Sequence, residues 1–218
     1  GVVDVVIPAL NEQESIAQVI TAIPPDLVRD IIVVDNGSQD ETAKRAFQAG
    51  ARVVTQHKRG YGAACLQGIA EIQTGCEVVV FMDADGSDEP SYMPLLVEPI
   101  LRREADMIVG SRVKLAQADA LTMQQKVGNA IASFWLRKRF SLPATDLGPF
   151  RAISFDALKE LSMCDRDYGW TVEMQIKAAR RGLAYREVDV PYYPRIGKSK
   201  VSGTLRGAVG AATKILGW

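Results

Sequence analysis

Apolar and polar positions alternate in blocks along the first 112 residues of the chain. Apolar runs at residues 2–7, 31–35, 52–56, 78–82 and 107–110 are too short for helices and predict strands. Between them the apolar positions recur with helical period. Strands and helices taking turns predict an α/β domain whose central sheet is mainly parallel, with helices on both faces. Asn11 with Glu14 and Ser38 with Glu41 have capping-box spacing, which starts helices just after the first two strands. A helix after Ser91 accepts Pro94 in its first turn, but Pro99 should break or kink it.

Further along, residues 121–140 place Val127, Ile131, Phe134 and Trp135 at helical spacing, opposite Lys126, Asn129, Ser133 and Arg137. Residues 183–190 predict a late strand and residues 204–218 a final helix with an apolar stripe. With no internal repeat or flexible linker, the 218 residues are expected to form one domain, in which 191–218 is a basic loop followed by an amphipathic helix.

Composition changes this picture little. Lys plus Arg equals Asp plus Glu at 26 each, so no global field favours nucleic acid, and electrostatic recognition must be local. Cys65, Cys76 and Cys164 lack metal-ligand spacing and read as free thiols of a reducing, cytoplasmic compartment. No run of about 18 apolar residues predicts a membrane span.

The chemistry gathers where strands end. In open α/β sheets, ligands bind beyond the carboxyl ends of the strands. That rule brings Pro8 to Glu12, Asp35 to Ser38 and Asp83 to Asp88 to one rim. Carboxylates packed so closely call for a cation between them, and hard oxygen donors suit Mg²⁺ or Mn²⁺. An EF-hand fails, because its sixth and twelfth positions counted from Asp83 are Asp88 and Pro94. "FMDADGS" resembles the haloacid-dehalogenase phosphatase motif, with Asp83 as nucleophile, but follows the fourth strand where that motif follows the first. "RGYGAACLQG" is only a near match to a dinucleotide loop, with Cys65 in place of the third glycine. Lys58, Arg59, Gly60 and Gly62 form a basic, glycine-containing loop whose amides can approach a phosphate. His57 is given no catalytic role.

"VVIPALNEQESI", "IIVVDNGSQDET", "KRGYGAACLQGI", "FMDADGSDEP", "GSR" and "TDLGPFRAI" occur in an order and spacing similar to the family 2 glycosyltransferases of GT-A fold. Among these, the chain most resembles the polyprenyl-phosphate (dolichyl-phosphate) hexose synthases. The resemblance implies transfer of a hexose from a nucleotide-diphosphate sugar, of the UDP-glucose type or GDP-mannose, with inversion. It implies that Asp83 and Asp85 hold the metal, with Asp85 catalytic. It places Pro8, Ala9, Leu10 and Glu12 at the nucleoside, and Asp35 as acceptor from a base imide N–H. Gly62, Ala84 and Arg112 are expected in the same crevice, and Arg195 and Lys198 on a loop that closes over the diphosphate. Gly86 and Ser87 depart from the pattern of the dolichyl-phosphate-mannose synthases and put a third metal ligand in doubt.

For the acceptor, a sugar hydroxyl needs a general base, whereas a phosphate monoester is already anionic. Asp146, taken as catalytic, and Glu173, also read as an ordinary surface carboxylate, are the candidate bases. Aromatic and basic residues at the end of the 121–140 helix suit a membrane interface, which favours a lipid-phosphate acceptor over a glycan and a peripheral place on the cytosolic face of a membrane. The same helices could pack a homodimer. The competing readings are the phosphatase and a nucleotide-sugar binding module without chemistry.

Overall fold

The computed structural model describes residues 1–197. The predicted final helix and Lys198 lie outside the described residues. Strands β1 (Val3–Ala9), β2 (Asp30–Asp35), β3 (Arg52–Thr55), β4 (Val78–Phe81), β5 (Met107–Ser111), β6 (Arg151–Ser154) and β7 (Tyr185–Asp189) make one sheet in the order β3-β2-β1-β4-β6-β5-β7. β1 pairs parallel with β2 and β4, β2 with β3, and β5 with β7. β6 alone runs antiparallel, between β4 and β5. It was not predicted from the sequence. Its four residues begin with Arg151, a wholly buried cation whose guanidinium donates to the carbonyls of Gly148 and Thr171, so no apolar run marks it.

Alternation along β1 separates two layers. Val3, Val5 and Ile7 pack with α1 (Ile16–Ala22), α2 (Thr42–Gln48) and α4 (Met93–Leu101). Val6 faces the other way, with Ile32, Val34 and Phe81, toward α3 (Tyr61–Ala70), α6 (Phe155–Leu161) and α7 (Trp170–Arg181). Both faces of the sheet are therefore apolar, as a covered parallel sheet requires. Each such aliphatic side chain contributes about 1.5–3 kcal/mol by leaving water. A smaller cluster joins α5 (Met123–Phe140) to α7 through Ala132, Leu136, Val172 and Ile176.

Two predicted helix starts are corrected. α1 begins after Ser15, and Asn11 sits at φ 49° with its side-chain oxygen accepting from the amide of Gln39. α2 begins after Glu41, while Ser38 Oγ accepts from the amide of Asn11. Both side chains bind the loop across from them instead of capping their own helix, which locks the ends of β1 and β2 together. α4 also runs through Pro99. The carbonyl that loses its partner belongs to Leu95, on the half-exposed side, where water can serve it.

Candidate active site

A pocket of about 510 Å³ opens beyond the carboxyl ends of β1 and β4. The turn after β1 supplies Pro8, Ala9, Leu10 and Glu12; the turn after β4 supplies Asp83, Ala84 and Asp85; Arg195 comes from the segment after β7. These predicted residues are brought together. Asp35, Gly62, Arg112 and Asp146 are not among the residues lining the pocket.

The geometry gives each of those four another task. Asp35 Oδ1 accepts from the amide of Ser38 at 3.1 Å, and it is the next residue, Asn36, that reaches the pocket. Asn36 clamps the loop before α3, donating to the carbonyls of Gln56 (2.9 Å) and Lys58 (2.8 Å) and accepting from the amide of Gly60 (2.9 Å). Gly62 lies so close to the 165–166 backbone that a Cβ there would stand 2.1 Å from the carbonyl oxygen of Asp165. It is a packing glycine.

Arg112 and Asp146 form a closed pair. Asp146 accepts from the Arg112 amide at 2.7 Å, from Nε at 2.8 Å and from Nη2 at 2.8 Å, and is 1% exposed. Burial opposes its charge, but the arginine holds its pKa below the usual carboxylate range. Burial likewise works against the charge of Arg112, and the bond to Asp146 outweighs it and raises its pKa. Asp146 is thus no free base. Its task is to fix Arg112, whose guanidinium lies 4.9 Å from the ring centroid of Tyr192, a pocket residue.

Glu173 is no surface carboxylate either. It is 1% exposed, accepts from the amides of Cys164 (3.0 Å) and Asp165 (2.7 Å), and pairs with Lys177 at 2.8 Å. It thereby braces the loop that delivers Asp167 and Tyr168 to the pocket.

The acidic pair contrasts with this. Asp83 Oδ1 accepts from Tyr61 Oη at 3.0 Å, and the Asp83 amide donates to Asp88 Oδ2 at 3.0 Å. Asp85 Oδ1 accepts from the amide of Ser87 at 3.0 Å. Burial first, and the charge of Asp85 second, push the pKa of Asp83 up to about 7. Burial and Asp83 raise Asp88 well above its ordinary value, and Asp88 Oδ1 is buried with no hydrogen-bond partner. The site therefore holds more buried negative charge than its own donors offset.

Residues 192–196 run along this turn. The amide of Tyr193 donates to Ser87 O and that of Ile196 to Asp85 O, each at 2.9 Å. Gly86, at φ +78°, admits the strap, since a Cβ there would stand 2.8 Å from Ile196 Cδ1. Arg195 bonds Glu12 at 2.6 Å, lies 3.8 Å from Asp85 Oδ2 and keeps a buried Nε without a partner.

An all-oxygen donor set with uncompensated charge fits a hard divalent ion at Asp83 and Asp85. Among the described residues no third His, Cys, Asp or Glu completes a metal-binding group. The remaining coordination positions would fall to phosphate oxygens and water, as is usual for Mg²⁺-type sites on nucleotides.

The sequence reading put Asn36 at the rim without giving it a role, and missed Tyr61, Ala64, Gln125, Asp167, Tyr168 and Tyr192 as pocket residues. Tyr61 stands inside the recognised "RGYGA" loop, and the "DRDYGW" run marks a turn, but neither string shows which side chain points inward.

The sequence model of the family described as glycosyl transferase family 2 matches residues 4–162. A glycosyltransferase of Mycobacterium tuberculosis whose activity is uncharacterized is 40% identical over 208 residues, covering 95% of this chain and 93% of its own. The undecaprenyl-phosphate mannosyltransferase of Micrococcus luteus is 32% identical over 219 residues, covering 93% and 88%. Among solved structures, glucosyl-3-phosphoglycerate synthase of Mycobacterium tuberculosis in complex with Mn²⁺, uridine diphosphate and glucosyl-3-phosphoglycerate superposes with TM-score 0.81 at 26% identity. The match covers 99% of this chain and 79% of that one.

Proposed function

Because the chain belongs to glycosyl transferase family 2 and is an enzyme of GT-A type, we propose that it transfers a hexose from a nucleotide-diphosphate sugar to a polyprenyl phosphate, with inversion. The observation that carries the choice of acceptor is the state of the nominated bases. Asp146 is bound to Arg112, and Glu173 is sealed beneath the 164–165 loop. A phosphate acceptor needs neither, because it arrives with an anionic oxygen. The Micrococcus relative, named for undecaprenyl phosphate, supports a lipid-phosphate acceptor, whereas the solved neighbour, bound to glucosyl-3-phosphoglycerate, carries its sugar on a hydroxyl oxygen of a phosphate-bearing acceptor.

Asp83 and Asp85 would hold Mn²⁺ or Mg²⁺, which when bound supplies Lewis-acid neutralisation of charge on the departing β-phosphate. Pro8, Ala9, Leu10 and Asn36 wall the part of the pocket nearest β1 and β2, where the nucleoside fits. Glu12 orients Arg195, whose unpartnered Nε can donate to a phosphate oxygen. Arg59 adds a second cation at the pocket wall. The acceptor oxygen attacks the anomeric carbon from the face opposite the diphosphate. The bond from that carbon to the β-phosphate oxygen breaks, and its electron pair leaves with the nucleotide.

The phosphatase reading is set aside, since the match is to sugar transferases. A second reading of the acceptor rests on Asp167, an exposed carboxylate in the pocket wall that could take a proton from a glycan hydroxyl.

The test begins with thermal shifts for UDP-glucose and GDP-mannose with and without Mn²⁺, since a true donor stabilises the folded enzyme by mass action. Transfer from the stabilising donor is then measured to a short-chain polyprenyl phosphate, to 3-phosphoglycerate and to a glycan hydroxyl. Transfer to the polyprenyl phosphate should survive Asp167→Asn within about tenfold, whereas base-dependent transfer would fall about 10²–10⁴-fold. Transfer to the hydroxyl alone, abolished by Asp167→Asn, would overturn the phosphate reading.

A further inference from the structure

We propose that the outward face of α5 docks the enzyme on an anionic lipid surface. As an account of how a lipid-borne acceptor is reached, this rests on the polyprenyl-phosphate reading above.

α5 turns the usual amphipathic arrangement around. On a helical projection Met123, Val127, Ile131 and Phe134 fall within about 80° of arc. They are 73%, 50%, 51% and 46% exposed, and Trp135 beside them is 41% exposed. The buried side instead carries Ala132, Ser133 and Leu136, with Asn129 bonding the 145–147 loop. A soluble helix places its apolar stripe against the core. Here the stripe points away from it, over more than three turns, and larger exposed apolar patches of this kind mark interaction sites.

Charge selects the partner. Residues 120–145 contain no Asp or Glu, while Lys126, Lys138 and Arg139 are exposed around the stripe. Two copies meeting through this face would bring those cations together with no carboxylate to answer them. Anionic headgroups neutralise them while the stripe enters the acyl boundary, with Trp135 at its edge and the cations snorkelling. Among the described residues no helix is long and apolar enough to cross a membrane, so α5 would lie along the surface.

Position connects the face to the chemistry. Gln125, in the first turn of α5, lines the pocket. The segment leading into α5 exposes Val113 and Leu115, and it is tied to the pocket residue Tyr192 by the bridge at Ala116. The apolar stripe therefore starts at the pocket's rim, where the phosphate of a membrane-held lipid would enter.

The test is flotation of the full chain with vesicles of phosphatidylcholine alone and of phosphatidylcholine with phosphatidylglycerol. Wild type should float only with the anionic vesicles, and less in high salt. The pair Phe134→Ser/Trp135→Ser and the pair Lys138→Glu/Arg139→Glu should each lower the bound fraction at least tenfold, with the Mn²⁺-dependent thermal shift by donor unchanged. Wild type remaining in solution would overturn the proposal. So would either variant pair floating like wild type, or a concentration-dependent dimer that the Phe134/Trp135 pair dissolves in the absence of vesicle binding. Transfer to a water-soluble short-chain polyprenyl phosphate is read in parallel. Its failure in wild type would sink the acceptor reading while leaving the flotation result standing.

Discussion

Two buried acidic sites lie at the carboxyl edge of the same sheet and have opposite fates. Asp146 is met by three N–H donors of Arg112 and held below its ordinary pKa. Among the described residues Asp83 has a single side-chain donor, the Tyr61 hydroxyl, and burial, with Asp85 beside it, pushes its pKa up to about 7. Burial acts on both. What differs is whether the protein supplies the counter-charge. Where it does, the carboxylate is a structural part that holds Arg112 under Tyr192. Where it does not, the carboxylates face the pocket with their charge unanswered by the protein.

The comparison can be broken from either side. Arg112→Leu should destabilise the fold by about 3–5 kcal/mol in urea titration, because it strands a buried charge. Adding Asp146→Leu should recover most of that loss, since two apolar side chains leave nothing uncompensated; failure to recover would mean that Arg112 acts through Tyr192 instead. Asp85→Asn should do the reverse. Transfer should fall about a thousandfold, roughly 4 kcal/mol of barrier, and the Mn²⁺-dependent part of the donor's thermal shift should vanish. Stability without metal should hold or rise, because one of two repelling charges is gone. A drop in metal-free stability like that of Arg112→Leu would show the pair to be structural.

This division was only half legible in the sequence. The strands of the first half and the rim they build were visible, because a covered parallel sheet writes itself as apolar runs and its ligand edge as the polar residues that follow them. The gathering of like charge at the pocket could be read from "DADGSD". Nothing local distinguishes Asp146 from Asp83, however, since the partner of Asp146 lies 34 positions away. The caps failed for the same reason: Asn11 and Ser38 have the right spacing for their own helices and are used by each other's loop. β6 escaped because its buried Arg151 is satisfied by backbone carbonyls that periodicity does not reveal. α5 was seen as amphipathic, but which side faces the core is set by α7 and the 142–147 loop, not by the helix itself.

The two sites should also answer pH with opposite signs, a smaller effect. Asp146 titrates lower in the folded than in the unfolded chain, where a carboxylate protonates near pH 3.9. On acidification the unfolded state takes up this proton first, so the contribution of Asp146 is present above that pH and lost as pH falls further. Urea midpoints should therefore decline more steeply below pH 4 in wild type than in the Arg112→Leu/Asp146→Leu variant. Asp83 titrates higher when folded, so without metal its contribution is present at low pH and lost as pH rises through about 7. Metal-free stability should fall across that range in wild type and stay flatter in Asp85→Asn.

The finest test concerns the side-chain donor that Asp83 has among the described residues. Tyr61 is half-buried in the pocket wall, and its hydroxyl reaches Asp83 Oδ1 at 3.0 Å. Tyr61→Phe keeps the ring, so packing against the α3 layer is preserved and the fold should be nearly unchanged. The lost hydrogen bond favoured the ionised form of Asp83 and fixed its rotamer. Its removal should weaken Mn²⁺ binding by about 1–1.5 kcal/mol, close to a tenfold rise in the metal concentration needed for half-maximal transfer. The rate at saturating Mn²⁺ should change little. If the saturating rate falls instead while the metal requirement stays fixed, Tyr61 contacts the reacting groups directly, and Asp83 is held in place by the Asp88 bond to its backbone alone.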